Sequence, residues 1–83
     1  MVTSYTLARV EPAKDSIVYD KIIGLSEVKE VITTYGEYDM ILKVEVDSLD
    51  ALDNFVFSKL RVIEGIESTT TLISAKSQLH RDE

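Results

Sequence analysis

The amino-acid sequence predicts a single small α+β domain built from four β-strands and two helices. Two patterns carry this prediction. Residues 38–46 have an apolar side chain at every second position, which is typical of a strand with one buried face. Residues 49–63 repeat apolar side chains at spacings of three and four, which is typical of a helix. A chain of 83 residues is too short for two independent cores, so we expect one domain.

The first half of the chain predicts a strand, a helix and a second strand. Residues 3–10 are rich in strand-forming residue types. Pro12 then fits the start of a helix over 13–23, and Gly24 is placed to end that helix as a C-terminal cap. The apolar stripe of this helix consists of Ile17, Val18, Ile22 and Ile23. Residues 28–35 predict the second strand.

The second half predicts a hairpin, a helix and a last strand. Gly36 suits the first central position of a two-residue type II′ turn, which leads into the strand over 38–46. Asp47 or Ser48 can cap the second helix, and Gly65 is expected to end it. The stripe of that helix consists of Leu49, Leu52, Val56, Leu60 and Ile63. Residues 66–75 predict the last strand.

The resulting order, βαββαβ, is the ferredoxin-like arrangement, with two helices on one face of a four-stranded antiparallel sheet. The first and last strands are apolar on both faces. Leu7 and Ala8 point to opposite sides of the first strand, and Leu72 and Ile73 do so in the last strand. Because the helices cover one face, we expect a second copy of the chain to cover the other, giving a homodimer.

The composition excludes several classes of protein. Nine Lys and Arg residues against 15 Asp and Glu give a net charge of −6, so we expect no direct binding to nucleic acid or to an anionic membrane. The absence of cysteine excludes disulfides, thiolate metal sites and thiol nucleophiles. No apolar run approaches the ~18 residues of a membrane span, and residues 1–9 lack a signal-peptide pattern. We therefore expect a cytoplasmic protein.

The sequence contains no recognisable catalytic set. The single histidine, His80, lies in a polar tail, and no Ser–His–Asp set can be assembled around it. Asp47, Asp50 and Asp53 lack the glycine and glutamate of a calcium loop, and helix capping explains them. We therefore expect neither an enzyme, nor a metal, nor a cofactor. A small dimeric ferredoxin-like enzyme that uses Asp39 or a tyrosine as acid or base remains the alternative.

Two segments are candidates for binding a small molecule. At the hairpin tip, Gly36 lets a ligand approach backbone N–H groups that can bind a carboxylate, and Asp39 can accept hydrogen bonds from an ammonium group. Thr69 and Thr71 project from the same face of the last strand and offer two hydroxyls. From the residues alone, a solvated turn and the strand propensity of threonine are the simpler explanations.

Taken together, residues 28–73 resemble the effector-binding domain of the Lrp/AsnC family of transcription regulators, also called the RAM domain. The resemblance rests on the V-K-E-V sequence at 28–31, the G-x-Y-D turn at 36–39 and the G-I-E-S-T-T-T sequence at 65–71. Residues 3–24 fit the first strand and helix of that domain. Full-length members carry an N-terminal helix-turn-helix domain, whereas Met1 here opens directly onto the first strand. We therefore expect a stand-alone RAM domain over residues 1–76, followed by a polar tail over 77–83.

The resemblance implies a function and a set of site residues. Family domains dimerise through their sheets, the dimers assemble into octamers or similar rings, and an amino-acid effector binds between dimers. Regulation of transcription or of amino-acid metabolism would then be indirect, including through co-assembly with full-length Lrp/AsnC regulators. A structural assembly partner that binds no ligand is a further alternative. The ligand-binding residues that the resemblance implies are Tyr35, Gly36, Tyr38, Asp39, Thr69 and Thr71.

Overall fold

The computed structural model describes residues 1–76 and residue 81 of the chain. It contains four strands and two helices, and the second helix consists of an α-helix that continues directly into a π-helix. The strands are β1 (Val2–Val10), β2 (Val28–Thr33), β3 (Met40–Val46) and β4 (Ile66–Ile73), and the helices are α1 (Asp15–Ile22) and α2 (Leu49–Asn54), with the π-helix at Phe55–Leu60. The tail expected over 77–83, including His80, lies outside the described residues except for Arg81.

The four strands form one antiparallel sheet in the order β2-β3-β1-β4. In the centre of the sheet, Thr6 of β1 pairs with Leu42 of β3 on one side and with Thr71 of β4 on the other. This topology confirms the predicted ferredoxin-like α+β fold. None of the helices in the described part of the chain is long and apolar enough to cross a membrane.

The core lies between the sheet and the helices and is built from alternate strand residues, as the sequence predicts. From the strands, the buried apolar side chains are Ala8, Val10, Met40, Leu42, Val44 and Val46. From the helices they are Val18, Ile22, Leu52, Phe55, Val56 and Leu60. Burial of these side chains removes apolar surface from water, which is the main favourable contribution to folding.

The other side of the sheet, which we call the open face, carries the apolar side chains of Tyr5, Leu7, Ile32, Ile41 and Leu72. The pairing register makes these residues neighbours: Leu72 lies opposite Tyr5, and Ile41 lies between Leu7 and Ile32. Tyr5, Ile32 and Leu72 are exposed. The apolar surface therefore extends across all four strands and is left uncovered by the helices of the same chain.

The end of α1 differs from the prediction. Gly24 does not adopt a positive φ, so the expected left-handed glycine cap is wrong. Instead, the N–H of Gly24 donates to the carbonyl of Lys21 at 3.2 Å, and the N–H of Leu25 donates to the carbonyl of Ile22 at 3.0 Å. These tight bonds satisfy carbonyl groups at the helix end without a left-handed residue.

The start of α2 agrees with the prediction, but its end does not. The Ser48 hydroxyl oxygen accepts a hydrogen bond from the N–H of Ala51 at 3.1 Å, which confirms the N-terminal cap. The last six residues of the second helix are π-helical, and the N–H of Arg61 donates to the carbonyl of Val56 at 2.9 Å. The helix ends at Leu60, well before Gly65, because turns over residues 61–65 join it to β4.

Leu49 was expected in the core but is 60% exposed. It lies in the first turn of α2, where it lines a groove between the second helix and β4. Within the described residues, no other element fills this groove. The predicted spacing of apolar residues along the second helix is therefore correct, but the sheet does not bury the first of them, Leu49.

An ion pair between Glu27 and Lys59 joins the loop before β2 to the end of the second helix. The hydrogen bond from the Lys59 ammonium is the main cause that lowers the pKa of Glu27, helped by the charge of Lys59 and opposed by burial. Since the pKa is lower in the folded state, the pair stabilises the fold above the ordinary glutamate pKa of about 4.3. This stabilisation is lost as the pH falls through the lowered value.

We predict that a double-mutant cycle with Glu27→Gln and Lys59→Met gives a coupling free energy of about 0.5–1 kcal/mol at pH 7, because the lysine is partly exposed. At an acidic pH below the lowered pKa of Glu27, the coupling should approach zero, since the carboxyl is then protonated. Urea denaturation at a fixed protein concentration measures both values. An equal coupling at the two pH values would contradict the assignment of the pair as a charged one.

Two separate features make a side chain unfavourable at Gly65, and neither is present at Gly24. Its φ is +107°, and a Cβ at this position would lie 2.7 Å from Cγ2 of Val18. We predict that Gly65→Ala lowers the free energy of unfolding by about 2 kcal/mol or more. Gly24→Ala is the matched control, because its Cβ would meet only the Lys21 carbonyl oxygen at an ordinary 3.5 Å. Equal urea-denaturation midpoints for the two variants would refute the prediction.

Candidate functional site

The loop between β2 and β3, residues 34–39, contains four of the six predicted site residues. The N–H of Thr34 donates to the carbonyl of Asp39 at 2.9 Å, and its hydroxyl donates to the carbonyl of Tyr38 at 2.6 Å. The predicted two-residue type II′ turn is therefore wrong, since these bonds close a wider loop. The positive φ expected at Gly36 is confirmed, at +111°.

The tip of this loop is open. Apart from Gly36 and its two chain neighbours, no atom of the described residues lies within 4 Å of the point where a Cβ of Gly36 would stand. Tyr35, the preceding residue, is fully exposed. The backbone of Gly36 is thus accessible from outside the molecule, and a small molecule can reach it without displacing a side chain.

Asp39 attaches the end of the loop to β1. Its N–H donates to the carbonyl of Ala8 at 2.9 Å, and its Oδ2 accepts from the N–H of Val10 at 2.8 Å. Within the described residues, the other carboxylate oxygen of Asp39 makes no hydrogen bond. The side chain therefore has a structural role that the sequence did not reveal, and it keeps one oxygen for a further contact.

Tyr38 crosses the open face from the loop to β4. Its hydroxyl lies 3.2 Å from Oγ1 of Thr70. The guanidinium of Arg9 lies 5.7 Å from the centre of the Tyr38 ring and also donates to Glu37 at 3.3 Å. Arg9 and Thr70 are neighbours of the site that sequence reasoning missed, because their proximity depends on the pairing of β1 with β4.

Thr69 and Thr71 lie on the opposite side of β4. In the sheet register they pair with Ala8 and Thr6, whose side chains are buried beneath the helices. Both threonines therefore share one face, as predicted. The Oγ1 atoms of Thr71 and Thr6 are 3.1 Å apart, so the Thr71 hydroxyl is part of a hydroxyl pair that reaches into the core.

The structure thus divides the six predicted residues into two groups. Tyr35, Gly36, Tyr38 and Asp39 lie in the β2–β3 loop, whereas Thr69 and Thr71 lie on the helix side of β4. The side-chain hydrogen bond between the loop and β4 runs to Thr70, which points away from both threonines. Within one chain, the members of each group lie near one another, but the two groups lie apart.

A groove of about 490 Å³ lies beside the two threonines, between the second helix and β4. Its walls combine apolar, charged and hydroxyl side chains. They include Leu49, Asp50, Asp53, Phe57, Arg61 and Ile73. Two smaller hollows, of about 240 and 250 Å³, lie beside the β2–β3 loop. In the described parts of the chain, no three His, Asp or Glu side chains are close enough to hold a metal ion.

Comparison with known sequences gives one family and several relatives. Residues 4–82 match the family model described as the Lrp/AsnC ligand binding domain. The HTH-type transcriptional regulator FL11 of Pyrococcus furiosus is 35% identical over 75 residues, which are 90% of this chain and 49% of FL11. The regulatory protein AsnC of Escherichia coli is 38% identical over 61 residues, which are 74% of this chain and 40% of AsnC. The chain therefore spans about half of these relatives or less.

Solved structures agree with this result. The structure of Escherichia coli AsnC superposes with a TM-score of 0.91 at 32% identity, covering 99% of this chain and 56% of that chain. The hypothetical protein PHS023 from Pyrococcus horikoshii superposes with a TM-score of 0.84 at 38% identity, covering 100% of both chains.

The bond between Asp39 and Val10 gives a prediction about stability. Asp39→Ala should lower the free energy of unfolding by about 1–2 kcal/mol, because the partly buried N–H of Val10 loses its acceptor. Asp39→Asn keeps an acceptor oxygen and should lose less. Glu37→Ala in the same loop is the control, since it breaks only an exposed ion pair and should cost below about 0.5 kcal/mol. Equal losses for Asp39→Ala and Glu37→Ala in urea denaturation would exclude the structural role of Asp39.

Proposed function

Because this chain belongs to the Lrp/AsnC ligand-binding domain family, we propose that it is an effector-binding regulatory domain that assembles with itself and binds a free amino acid. Its relatives FL11 and AsnC are named as regulators, which supports a regulatory role. The net charge of −6 favours regulation through assembly over direct contact with DNA phosphates. In cells such as Escherichia coli, transcription regulators work in the cytoplasm, where the DNA is. We propose the same location for this chain.

The separation of the two groups of site residues is the observation that carries the proposal. Tyr38 meets Thr70 on one side of β4, while Thr69 and Thr71 face the groove on the other side. One effector can contact both groups if the loop of one copy reaches the β4 strand of another. We propose that the amino acid binds at such a shared site, with Tyr35, Gly36, Tyr38 and Asp39 from one copy and Thr69 and Thr71 from another.

The chemistry of the loop suits the two groups that every amino acid carries. The exposed backbone around Gly36 can donate hydrogen bonds to a carboxylate. The free oxygen of Asp39 can accept a hydrogen bond from an ammonium group. Contacts of this kind hold a ligand without reacting with it, and the named relatives are regulators, so we propose binding and not catalysis.

The open face supports the first step of assembly. Tyr5, Ile32 and Leu72 expose apolar surface that a second copy can cover with the same residues. In such a two-fold contact the same surface of each copy is buried, and the contact is complete with two copies. Dimers formed in this way keep the tip of the loop and the helix side of β4 available for contacts between dimers, which would build an octamer or a similar ring. A full-length Lrp/AsnC regulator with an equivalent face is a further partner that we propose.

One experiment tests assembly and binding together. The twenty common amino acids are first screened by isothermal titration calorimetry, and the assembly is sized by light scattering. We predict that at least one amino acid binds and that the chain forms oligomers. Leu72→Glu should give a monomer that no longer binds that amino acid, because a charge on the open face is unfavourable in an apolar contact.

Ile17→Glu is the matched control, since Ile17 on α1 and Leu72 are both 55% exposed. The control should keep both assembly and binding, and both variants should melt cooperatively. A Leu72→Glu monomer that binds the amino acid with unchanged affinity would overturn the shared site. A monomeric wild-type chain that binds none of the twenty amino acids would overturn the proposed function.

A further inference from the structure

The groove between the second helix and β4 has the dimensions and walls of a small-molecule site. Its volume of about 490 Å³ is about twice that of either hollow beside the loop. Pockets that take small ligands begin at about 300 Å³. Leu49, Phe57 and Ile73 on its walls are 60%, 56% and 52% exposed. These three side chains therefore give the groove an apolar channel that is exposed to solvent.

The two ends of this channel carry opposite charges. Asp50 and Asp53 lie in α2, and Arg61 follows the end of the second helix. Within the described residues, none of the three forms an ion pair. Asp53 and Arg61 are eight positions apart in the sequence, and the whole π-helix lies between them. Arg61 also stacks on the wall, with its guanidinium 5.1 Å from the centre of the Phe57 ring.

This separation of charge restricts which amino acid fits. The α-ammonium and α-carboxylate groups of an amino acid are bonded to the same carbon, so they cannot reach both ends of the groove. A basic amino acid carries a second cation at the far end of an aliphatic chain. Its methylene groups match the apolar walls, and its terminal cation matches the two aspartates. Arginine is a preferred partner for carboxylates, so Arg61 suits the other end of the same ligand.

The β4 side of the groove is polar and connected to the core. Thr69 and Thr71 line it, and the Thr71 hydroxyl is paired with the fully buried hydroxyl of Thr6. Ser4, also fully buried, lies opposite Ile73 in the register, and its Oγ has no hydrogen-bond partner among the described residues. A buried hydroxyl without a partner is uncommon and destabilising. Polar groups beside an apolar channel are typical of ligand sites, where they fix the orientation of the ligand.

Helix capping alone does not explain this arrangement. Asp50 and Asp53 near the start of α2 interact favourably with the helix dipole. That interaction does not account for Arg61 at the other end or for three apolar side chains more than half exposed between them. The net charge of −6 further attracts a cation and not an anion.

We propose that this groove selects a basic amino acid, with Asp50 and Asp53 accepting hydrogen bonds from its side-chain cation and Arg61 contacting its carboxylate end. This inference rests on the proposed function, because it names the class of amino acid bound at the shared site. Asp50 and Asp53 are then the specificity-determining residues.

The test compares L-lysine with L-norleucine, which is lysine without its terminal ammonium group. Isothermal titration calorimetry of the full chain should give an affinity for lysine at least tenfold higher than for norleucine, as expected for charge-assisted hydrogen bonds. Asp50→Asn combined with Asp53→Asn should reduce this ratio to about one while leaving norleucine binding within about twofold. Asp53→Glu, which restores the charge, should recover part of the ratio in the Asp50→Asn background.

Asp20→Asn with Glu64→Gln is the control of equal charge change, because neither residue lines the groove or the two hollows beside the loop. This control should keep the lysine-to-norleucine ratio. If it lowers the ratio as far as the groove variant does, the effect is one of net charge and the inference fails.

The remaining outcomes separate the inference from the proposed function. Binding of a neutral amino acid at least as tightly as lysine or arginine would overturn the groove assignment and leave the proposed function standing. Absence of binding for all twenty amino acids would overturn both. If the groove variant changes the oligomer size in light scattering but not the affinity ratio, a second copy occupies the groove, and the inference is again wrong.

Discussion

The central strand β1 determines the position of every functional feature in this molecule. It is hydrogen-bonded along both edges, to β3 and to β4, and its side chains alternate between two environments. Its even-numbered residues from Ser4 to Val10 are buried beneath the helices, whereas Tyr5 and Leu7 lie on the open face. A shift of the register by one residue would exchange the two sets and expose the core. The apolar pattern therefore fixes the register strongly.

The fixed register has a direct consequence for the candidate site. Because β4 pairs with β1, the alternation along Thr69, Thr70 and Thr71 directs the first and third to the groove and the second to the open face. In the described part of the chain, the Tyr38 hydroxyl makes its hydrogen bond across the sheet to this second threonine alone. The same alternation that builds the core thus separates the loop from the groove. A site that uses both requires more than one copy of the chain.

The parts of the fold that the sequence predicts are those governed by local periodicity. The alternation in β3, the cap at Ser48 and the positive φ at Gly36 each depend on a few neighbouring residues, and all are confirmed. The π-helical end of the second helix and the tight turn at Gly24 were not predicted. Both depend on how the helix ends meet the sheet, and no short sequence pattern encodes that geometry.

The sequence indicated the residue types of the candidate site but not how these residues are arranged. A glycine turn and paired threonines are visible in the sequence, yet their spacing does not tell which side of the sheet each occupies. The bond between Asp39 and Val10 was also hidden, since it joins residues 29 positions apart. The groove was missed because Asp50 and Asp53 have a sufficient local explanation as residues near a helix start. Only the exposed apolar walls between them and Arg61 suggest a second role.

The proposed division of the site between copies would also explain how an effector could regulate this domain. If the effector contacts the loop of one copy and the groove of another, its binding free energy contributes to the contact between them. By linkage, the factor by which the effector strengthens assembly equals the factor by which assembly strengthens effector binding. The amino acid need not alter the fold of either chain for this coupling to operate. The concentration of the effector would then set the size of the assembly, and the assembly would carry the signal to its partner.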